Sequence, residues 1–323
     1  MAKAVRFHKQ GGPELMQYED VQVGDPGPGQ VRIRHTAIGV NFVDIYQRSG
    51  LYPMQLPQVA GNEGAGVVEA VGQGVTELKA GDRLAYTGLP GSYCDARIVP
   101  ADRMVKLPEG ISEEQAASMM LKGLTVHYLI FTTYPVKKGE TVLWHAAAGG
   151  VGLIACQWLK ALGVTVIGTA GSDEKCALAK AHGAEHVVNY SRENFVERVM
   201  SITGGKKVPV VYDSVGKNTW EGSLECLRPR GLMVSFGNAS GAVPPVNLGI
   251  LSTKGSLYVT RPTLATHIAT RADLVQRAND LFEMVKSGKV KIETTKRFKL
   301  AEAQQAHRDL EGRKTTGSVV LQP

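Results

Sequence analysis

The chain is predicted to be a two-domain α/β protein whose later half is a doubly wound parallel sheet. Three observations carry that prediction. Strand-like and helix-like segments alternate from about residue 140 to 260, which is the pattern of parallel βαβ units. A glycine turn separates the first strand from the first helix of that run. The N-terminal part is instead strand-like and punctuated by Gly and Pro. At 323 residues the chain exceeds the usual single-domain size, in keeping with two separate cores.

The elements can be justified in chain order. Residues 31–40, VRIRHTAIGV, alternate in places, and 64–75, GAGVVEAVGQGV, form a β-branched run between turn signals. Asp25 to Gly29 and Ala80 to Asp82 have the composition of loops. Ser112 with Gln115 matches a helix N-cap and its capping-box partner, ahead of AASMMLKGLTVHYLIF. Strands are then expected at 141–146, 165–170, 186–190, 209–215, 231–237 and 256–260. Helices are expected between them in LIACQWLKALG, DEKCALAKAHG and ENFVERVMSITGG, the last two closing on glycine. A further helix is expected over 270–288, followed by a strand-like end at 317–322. That strand is too short to stand alone and is expected to return to the N-terminal domain.

Composition removes several function classes. Hydrophobic residues at 43% and charged residues at 21% describe an ordinary globular chain. No apolar stretch approaches the length of a membrane span. The opening MAKAVRFHKQGG lacks a signal-peptide core, so a cytoplasmic location is expected. Cys94, Cys156, Cys176 and Cys226 are scattered without a C-x-x-C pair, and are read as reduced thiols without a metal or disulfide role. The net charge of +7 is spread over short clusters, such as Lys206–Lys207, and is read as a solvated surface more than a nucleic-acid face.

The glycine turn carries the first chemistry. Set against G-x-G-x-x-G, residues 147–152 offer Ala147, Gly149 and Gly152, so alanine occupies the first glycine position. A strand, a small-residue turn and a helix N-terminus in that order suit a dinucleotide pyrophosphate. The second strand ends Gly168-Thr169-Ala170-Gly171-Ser172, without the acidic residue that binds the ribose hydroxyls of NAD. Asp173 and Glu174 fit a helix start, Lys175 follows, and Tyr190 closes the next strand. A neutral pocket with a nearby cation favours the 2′-phosphate of NADPH. The isolated His127 and His145 lie in apolar contexts and are read as core residues.

With the cofactor half in place, several further motifs become legible. GVNFVDIYQRSGLYP (39–53), GNEGAGVVEAVG (61–72), AGDRLAY (80–86), LKGLTVHYL (121–129) and AAAGGVGLIACQWLKALG (146–163) resemble the medium-chain dehydrogenase/reductase superfamily. They look most like its NADPH:quinone oxidoreductase, zeta-crystallin-like branch. YDSVG, SFGNASGAV and VTRP extend the likeness over essentially the whole chain. The resemblance implies a GroES-like, mostly-β catalytic domain over 1–124, with 262–323 returning to it, and a Rossmann domain over 125–261. It also implies a homodimer.

The resemblance departs from the zinc alcohol dehydrogenases at two ligand positions. Asn41 stands where those enzymes have cysteine and Asn62 where they have histidine; the four-cysteine structural zinc lobe is absent too. Amides are poor substitutes for Cys, His or carboxylate ligands, so no metal is expected. An acceptor that delocalises its own developing charge then fits, a quinone first and a conjugated enone or 2-alkenal as the alternative. A cofactor-holding RNA-binding protein, as described for some zeta-crystallin relatives, is the reading from a different class.

The candidates around the acceptor are Asn41, Asp44, Tyr46, Tyr52 and Glu63. Asn41 would bond an acceptor oxygen or hold the nicotinamide ribose. The tyrosines would offer flat apolar surface and a phenol proton, or merely cover a core edge. Asp44 and Glu63 are favoured as structural carboxylates bonded to backbone. Thr125 would bond the nicotinamide region, or be an interior helix threonine. By resemblance, Gly149, Gly150 and Val151 contact the pyrophosphate, and Gly171, Lys175, Tyr190 and Arg313 surround the 2′-phosphate. Ser214, Phe236, Gly237, Asn238, Val259 and Thr260 border the adenosine or nicotinamide ribose.

Overall fold

A computed structural model describes residues 1–323. The chain divides into two compact units, one of Met1–Leu124, His267–Lys286 and Ile292–Pro323, the other of Thr125–Thr266 with Ser287–Lys291.

The first unit is built on β-structure. Its main sheet runs Thr294–Lys299, Ser318–Gln322, Gln30–Val40, Glu63–Val71, Arg83–Thr87, Val105–Lys106, and Ala96–Pro100 also pairs with Gln30–Val40. Alternation explains the central strand: Val31 and Ile33 are fully buried, whereas Arg32 and Arg34 pair outward with Glu69. The C-terminal strand Ser318–Gln322 is antiparallel to Gln30–Val40, with Val320 opposite Gly39. A smaller sheet, Met16–Val21, Ala2–Phe7 and Gln58–Val59, packs Val5, Phe7 and Met16 into a second core cluster with Val319 and Leu321.

The second unit holds the doubly wound sheet. Six parallel strands lie in the order His186–Asn189, Thr165–Ala170, Thr141–Trp144, Val208–Asp213, Leu227–Ser235, Tyr258–Thr260. Order reverses between Thr141–Trp144 and Val208–Asp213, and ligands of such sheets bind at the carboxyl ends near that reversal. Leu143, Ile167, Val188 and Val211 fill the interior; each such burial stabilises by about 1.5–3 kcal/mol.

Where elements stop has local causes. The strand expected over 209–215 ends at Asp213, because its Oδ1 accepts the Val215 and Gly216 N–H groups and turns the chain. The strand expected over 256–260 begins only at Tyr258, since Ser256 sits at a φ of 55°. The strand expected over 231–237 starts earlier, at Leu227, and passes Arg230 at a φ of 59° through a register shift. Ser112 caps its helix as expected, accepting from the Gln115 N–H while Gln115 Oε1 accepts from the Ser112 N–H. That helix, Glu113–Tyr128, runs on into a π-helical turn, Leu129–Thr133, which periodicity does not reveal.

The alanine in the glycine turn has a steric counterpart. Ala147 is fully buried, and a Cβ on Gly168 of the neighbouring strand would stand 2.7 Å from the Ala147 methyl. The missing first glycine is compensated by a glycine in the adjacent strand. Gly168→Ala is therefore expected to cost about 1–3 kcal/mol in urea unfolding. Adding Ala147→Gly should recover most of that loss, and strictly additive effects would contradict the contact.

Candidate active site

In the second unit, Gly149 is the N-cap of the helix Gly150–Ala161, and no side chain caps its first turn. The N–H groups of that turn, with Gly150 and Val151, thus form an anion cradle at the positive end of the helix. Gly152 brings the helix close to the preceding turn: a Cβ there would lie 2.5 Å from the Ala146 carbonyl oxygen.

The adenosine side gathers several expected residues. The Tyr190 hydroxyl lies 2.6 Å from where a Cβ on Gly171 would stand. Lys175 is in the first turn of Asp173–Ala181, whose N-cap Ser172 accepts the Lys175 N–H. Asp173, the nearest acid, is occupied: it accepts from Asn189 Nδ2 at 2.7 Å and pairs with Arg192 at 2.6 Å. No free carboxylate therefore ends the second strand, and the residues fit a 2′-phosphate. Arg192 is a cation here that sequence reasoning missed. Arg313 belongs to the other unit, just after the helix Ala303–Glu311, at a φ of 57°.

Ser214, Phe236, Gly237 and Asn238 also come together. A Cβ on Gly237 would stand 2.5 Å from the Ser214 carbonyl oxygen, and the Phe236 N–H donates to the Asp213 carbonyl. With its amide oriented to satisfy both neighbours, Asn238 donates to the Gly237 carbonyl and accepts from Arg261. Val259 and Thr260 lie on the edge strand, paired with Met233 and Val234. Thr125 is a buried residue of the helix Glu113–Tyr128.

In the first unit, the acceptor-side candidates form a buried polar cluster. Asn41 precedes the helix Phe42–Ser49, and its N–H donates to Asp44 Oδ2 at 2.8 Å, half of a capping box. Asn41 Nδ2 donates to Glu63 Oε2 at 2.8 Å. Asn62 Nδ2 donates to Asp44 Oδ1 at 2.7 Å and to Gln47 Oε1 at 2.6 Å. Glu63 accepts the Leu121 N–H at 2.6 Å and lies 3.5 Å from Lys122 Nζ. Tyr93 donates its hydroxyl to Asp44 Oδ2 and lies 3.0 Å from His307 Nε2.

Each amide at a zinc-ligand position thus offers N–H to a buried carboxylate. These residues do not fit a metal: amide donors are turned toward the acids, and no group of three or more His, Cys, Asp or Glu is arranged to hold an ion. Asp44 and Glu63 each bond backbone, but each also bonds an asparagine amide. Tyr46 is buried on the helix and meets Tyr52 edge-on at 5.3 Å; Phe42 lies 6.1 Å from Tyr46. Gln47, Tyr93, Lys122 and His307 escaped sequence reasoning: the fold brings Tyr93 to Asp44, Lys122 to Glu63 and His307 to Tyr93, while Gln47, one helical turn beyond Asp44, joins through Asn62. The Asn41–Asp44 capping box was the one local signal.

Burial dominates the electrostatics. It raises the Asp44 carboxyl to about 6, against hydrogen bonds from Asn62, Asn41 and Tyr93. It raises Glu63 too, against the pull of Lys122, and lowers His307 to about 3, which keeps that ring neutral. Asp44 holds its proton to about pH 6 when folded, against 3.8 for an ordinary Asp. Its contribution is therefore favourable at low pH and lost as pH rises from about 4 to 6, by about 3 kcal/mol in all. Urea unfolding across that range should show the decline, and Asp44→Asn should flatten it; an unchanged slope in the variant would contradict the assignment.

Comparison with known proteins identifies the family. Residues 27–109 match the alcohol dehydrogenase GroES-like domain, and residues 150–283 match the zinc-binding dehydrogenase family. The chain is 58% identical to a quinone oxidoreductase of Pseudomonas aeruginosa, covering 100% of both chains. It superposes on the structure of Escherichia coli quinone oxidoreductase complexed with NADPH with a TM-score of 0.98 at 53% identity, covering 99% of this chain and 100% of that one. It is also 46% identical to a 2-haloacrylate reductase of Burkholderia, covering 100% of this chain and 99% of the relative. The chain belongs to the quinone oxidoreductase branch of the medium-chain dehydrogenase/reductase superfamily.

Proposed function

We propose that this protein reduces quinones with NADPH, by a route that uses no metal. The observation that carries the reading is the pair of amides, Asn41 and Asn62, donating to Glu63 and Asp44 where a zinc site would need ligands. Full-length identity to quinone oxidoreductases supports the acceptor class, and the NADPH complex of the Escherichia coli relative supports the cofactor.

NADPH, when bound, supplies the hydride that reduces the acceptor. Gly149, Gly150 and Val151 would hold its pyrophosphate, while Lys175, Tyr190 and Gly171 would hold the 2′-phosphate. Ser214, Phe236, Gly237, Asn238, Val259 and Thr260 would border its riboses, and Thr125 its nicotinamide end. Tyr46 and Tyr52 would offer an aromatic acceptor a flat surface, and Asn41, held by Glu63, would orient it. Asp44 and Glu63 fix the amides in this reading rather than exchange protons with the acceptor.

Steady-state turnover with 1,4-benzoquinone tests this directly. The KM for NADPH should be at least about tenfold below that for NADH, and Lys175→Ala should narrow the gap, since a lost charge-assisted bond is about 1.5–3 kcal/mol. Equal use of both cofactors would overturn the NADPH assignment. The 2-haloacrylate reductase relative favours a second reading, a conjugated enone or 2-alkenal as acceptor. Turnover of such substrates without any quinone activity would select it.

The assembly proposed is a homodimer. The edge strand Tyr258–Thr260 has an open side, Tyr258 is 60% exposed, and nearby Leu248 is 73% exposed. Light scattering should give twice the chain mass of 34.7 kDa, and Tyr258→Glu should lower it toward the monomer. A monomeric wild type would exclude the dimer. No helix is long and apolar enough to cross a membrane. All four cysteines are free, three of them buried, which supports a reducing, cytoplasmic setting.

A further inference from the structure

One imidazole connects the polar side chains at the carboxyl edge of the parallel sheet. His145 follows the central strand Thr141–Trp144 and directly precedes the glycine turn. Trp144 is in register with Gly168 on one side and Tyr212 on the other, so His145 falls between Thr169 and Asp213. Its Nδ1 lies 2.9 Å from Thr169 Oγ1, and its Nε2 lies 2.9 Å from Ser223 Oγ. Ser223 donates to Asp213 Oδ2 at 3.1 Å. Asp213 also accepts the Thr219 hydroxyl at 2.6 Å, and its Oδ1 accepts the Val215 and Gly216 N–H groups. His145, Asp213 and Ser223 have no exposed surface, and Thr169 is 1% exposed.

These bonds leave one consistent arrangement of protons. Asp213 takes four donors and acts as acceptor throughout, so the single Ser223 proton points to it. Ser223 Oγ must then accept from His145 Nε2–H, and His145 Nδ1 must accept the Thr169 hydroxyl. The ring is neutral with its proton on Nε2. Burial against the Phe195 ring, 5.0 Å away and edge-on, holds it below the usual imidazole range, in agreement.

We infer that His145 is a positioning residue for dinucleotide binding: it fixes the spacing among the glycine turn, the end of the second strand and the Ser214 turn. The inference rests on the NADPH reading above. His145 cannot touch the cofactor, being wholly buried, and acts through the three strand ends it joins. Each end continues into irregular backbone, including Ala146 at a φ of 54°; single backbone bonds, His145 N–H to the Tyr212 carbonyl and Ala147 N–H to the Thr169 carbonyl, reach across there, and the His145 ring adds the side-chain ties.

Thr169→Val tests this by removing the donor to Nδ1 without changing shape. The dissociation constant for NADPH, measured by titration calorimetry, should rise about tenfold. KM for NADPH should rise in parallel, with kcat changed less than about threefold. Thr169→Ser keeps the hydroxyl and should bind NADPH within about twofold of the wild type. Nitrogen-15 NMR of the wild type should show His145 protonated on Nε2 alone from pH 5 to 8. Unchanged NADPH affinity in a Thr169→Val protein that has merely lost melting temperature would overturn the inference. A proton on Nδ1, or a cationic ring at pH 7, would overturn it as well. Failure of the wild type to bind NADPH at all would overturn the NADPH reading together with it.

Discussion

Glu63→Gln is expected to destabilise the first unit by about 3–5 kcal/mol, the usual cost of leaving one member of a buried ion pair alone. Lys122 is 5% exposed and Glu63 fully buried, so neither charge can turn to water. Burial raises the Glu63 carboxyl against the pull of Lys122, and such desolvation offsets much of a buried pair's attraction. Breaking one side should therefore cost more than removing both. Urea unfolding of Glu63→Gln, Lys122→Met and the double variant measures this, and the double variant should be more stable than the sum of the single losses by at least about 1 kcal/mol. Additive losses would mean that Lys122 and Glu63 do not interact.

Gly152→Ala should have the largest effect on cofactor binding. Its Cβ would meet the Ala146 carbonyl oxygen at 2.5 Å and the Ala147 carbonyl at 2.6 Å, all of it backbone. Nothing flexible can yield, so the helix must lift from the turn that it completes. A destabilisation of about 1–3 kcal/mol is expected, with NADPH affinity falling at least about tenfold. Gly149→Ala is the comparison: its Cβ meets only the Ala146 oxygen, at 3.3 Å, and should perturb the fold less. Equal melting temperatures for Gly152→Ala and the wild type would contradict the close approach.

Much of the second unit was legible because its information is local. Alternating apolar runs and helix-period segments placed all six parallel strands, and glycine or proline neighbourhoods marked most ends. Boundaries failed where a side chain intervened, as with Asp213 turning the chain two residues early. The first unit was harder to read. The helix Phe42–Ser49 is eight residues long, and the strand Gln58–Val59 only two, too short for periodicity to register. The strand Thr294–Lys299 alternates half-buried and exposed positions, but Phe298 is its one apolar residue, and its pairing depends on the distant Ser318–Gln322.

The site divides in the same way. Ala147, Gly149 and Gly152, the missing acid after the second strand, and Asn41 and Asn62 are all readable one residue at a time. Their types alone point to the cofactor class and argue against a metal site, because phosphate cradles and metal ligands depend on residue chemistry at fixed local spacing. Only the tertiary structure decided what those residues do with their hydrogen bonds. It turned Asn41 to Glu63 and Asn62 to Asp44, set Lys122 beside Glu63 and Tyr93 between Asp44 and His307, and made His145 a brace instead of filler. These pairings join residues up to 214 positions apart, as for Tyr93 and His307. Burial then makes each bond obligatory, since a polar group removed from water must find its partner wherever the fold supplies one.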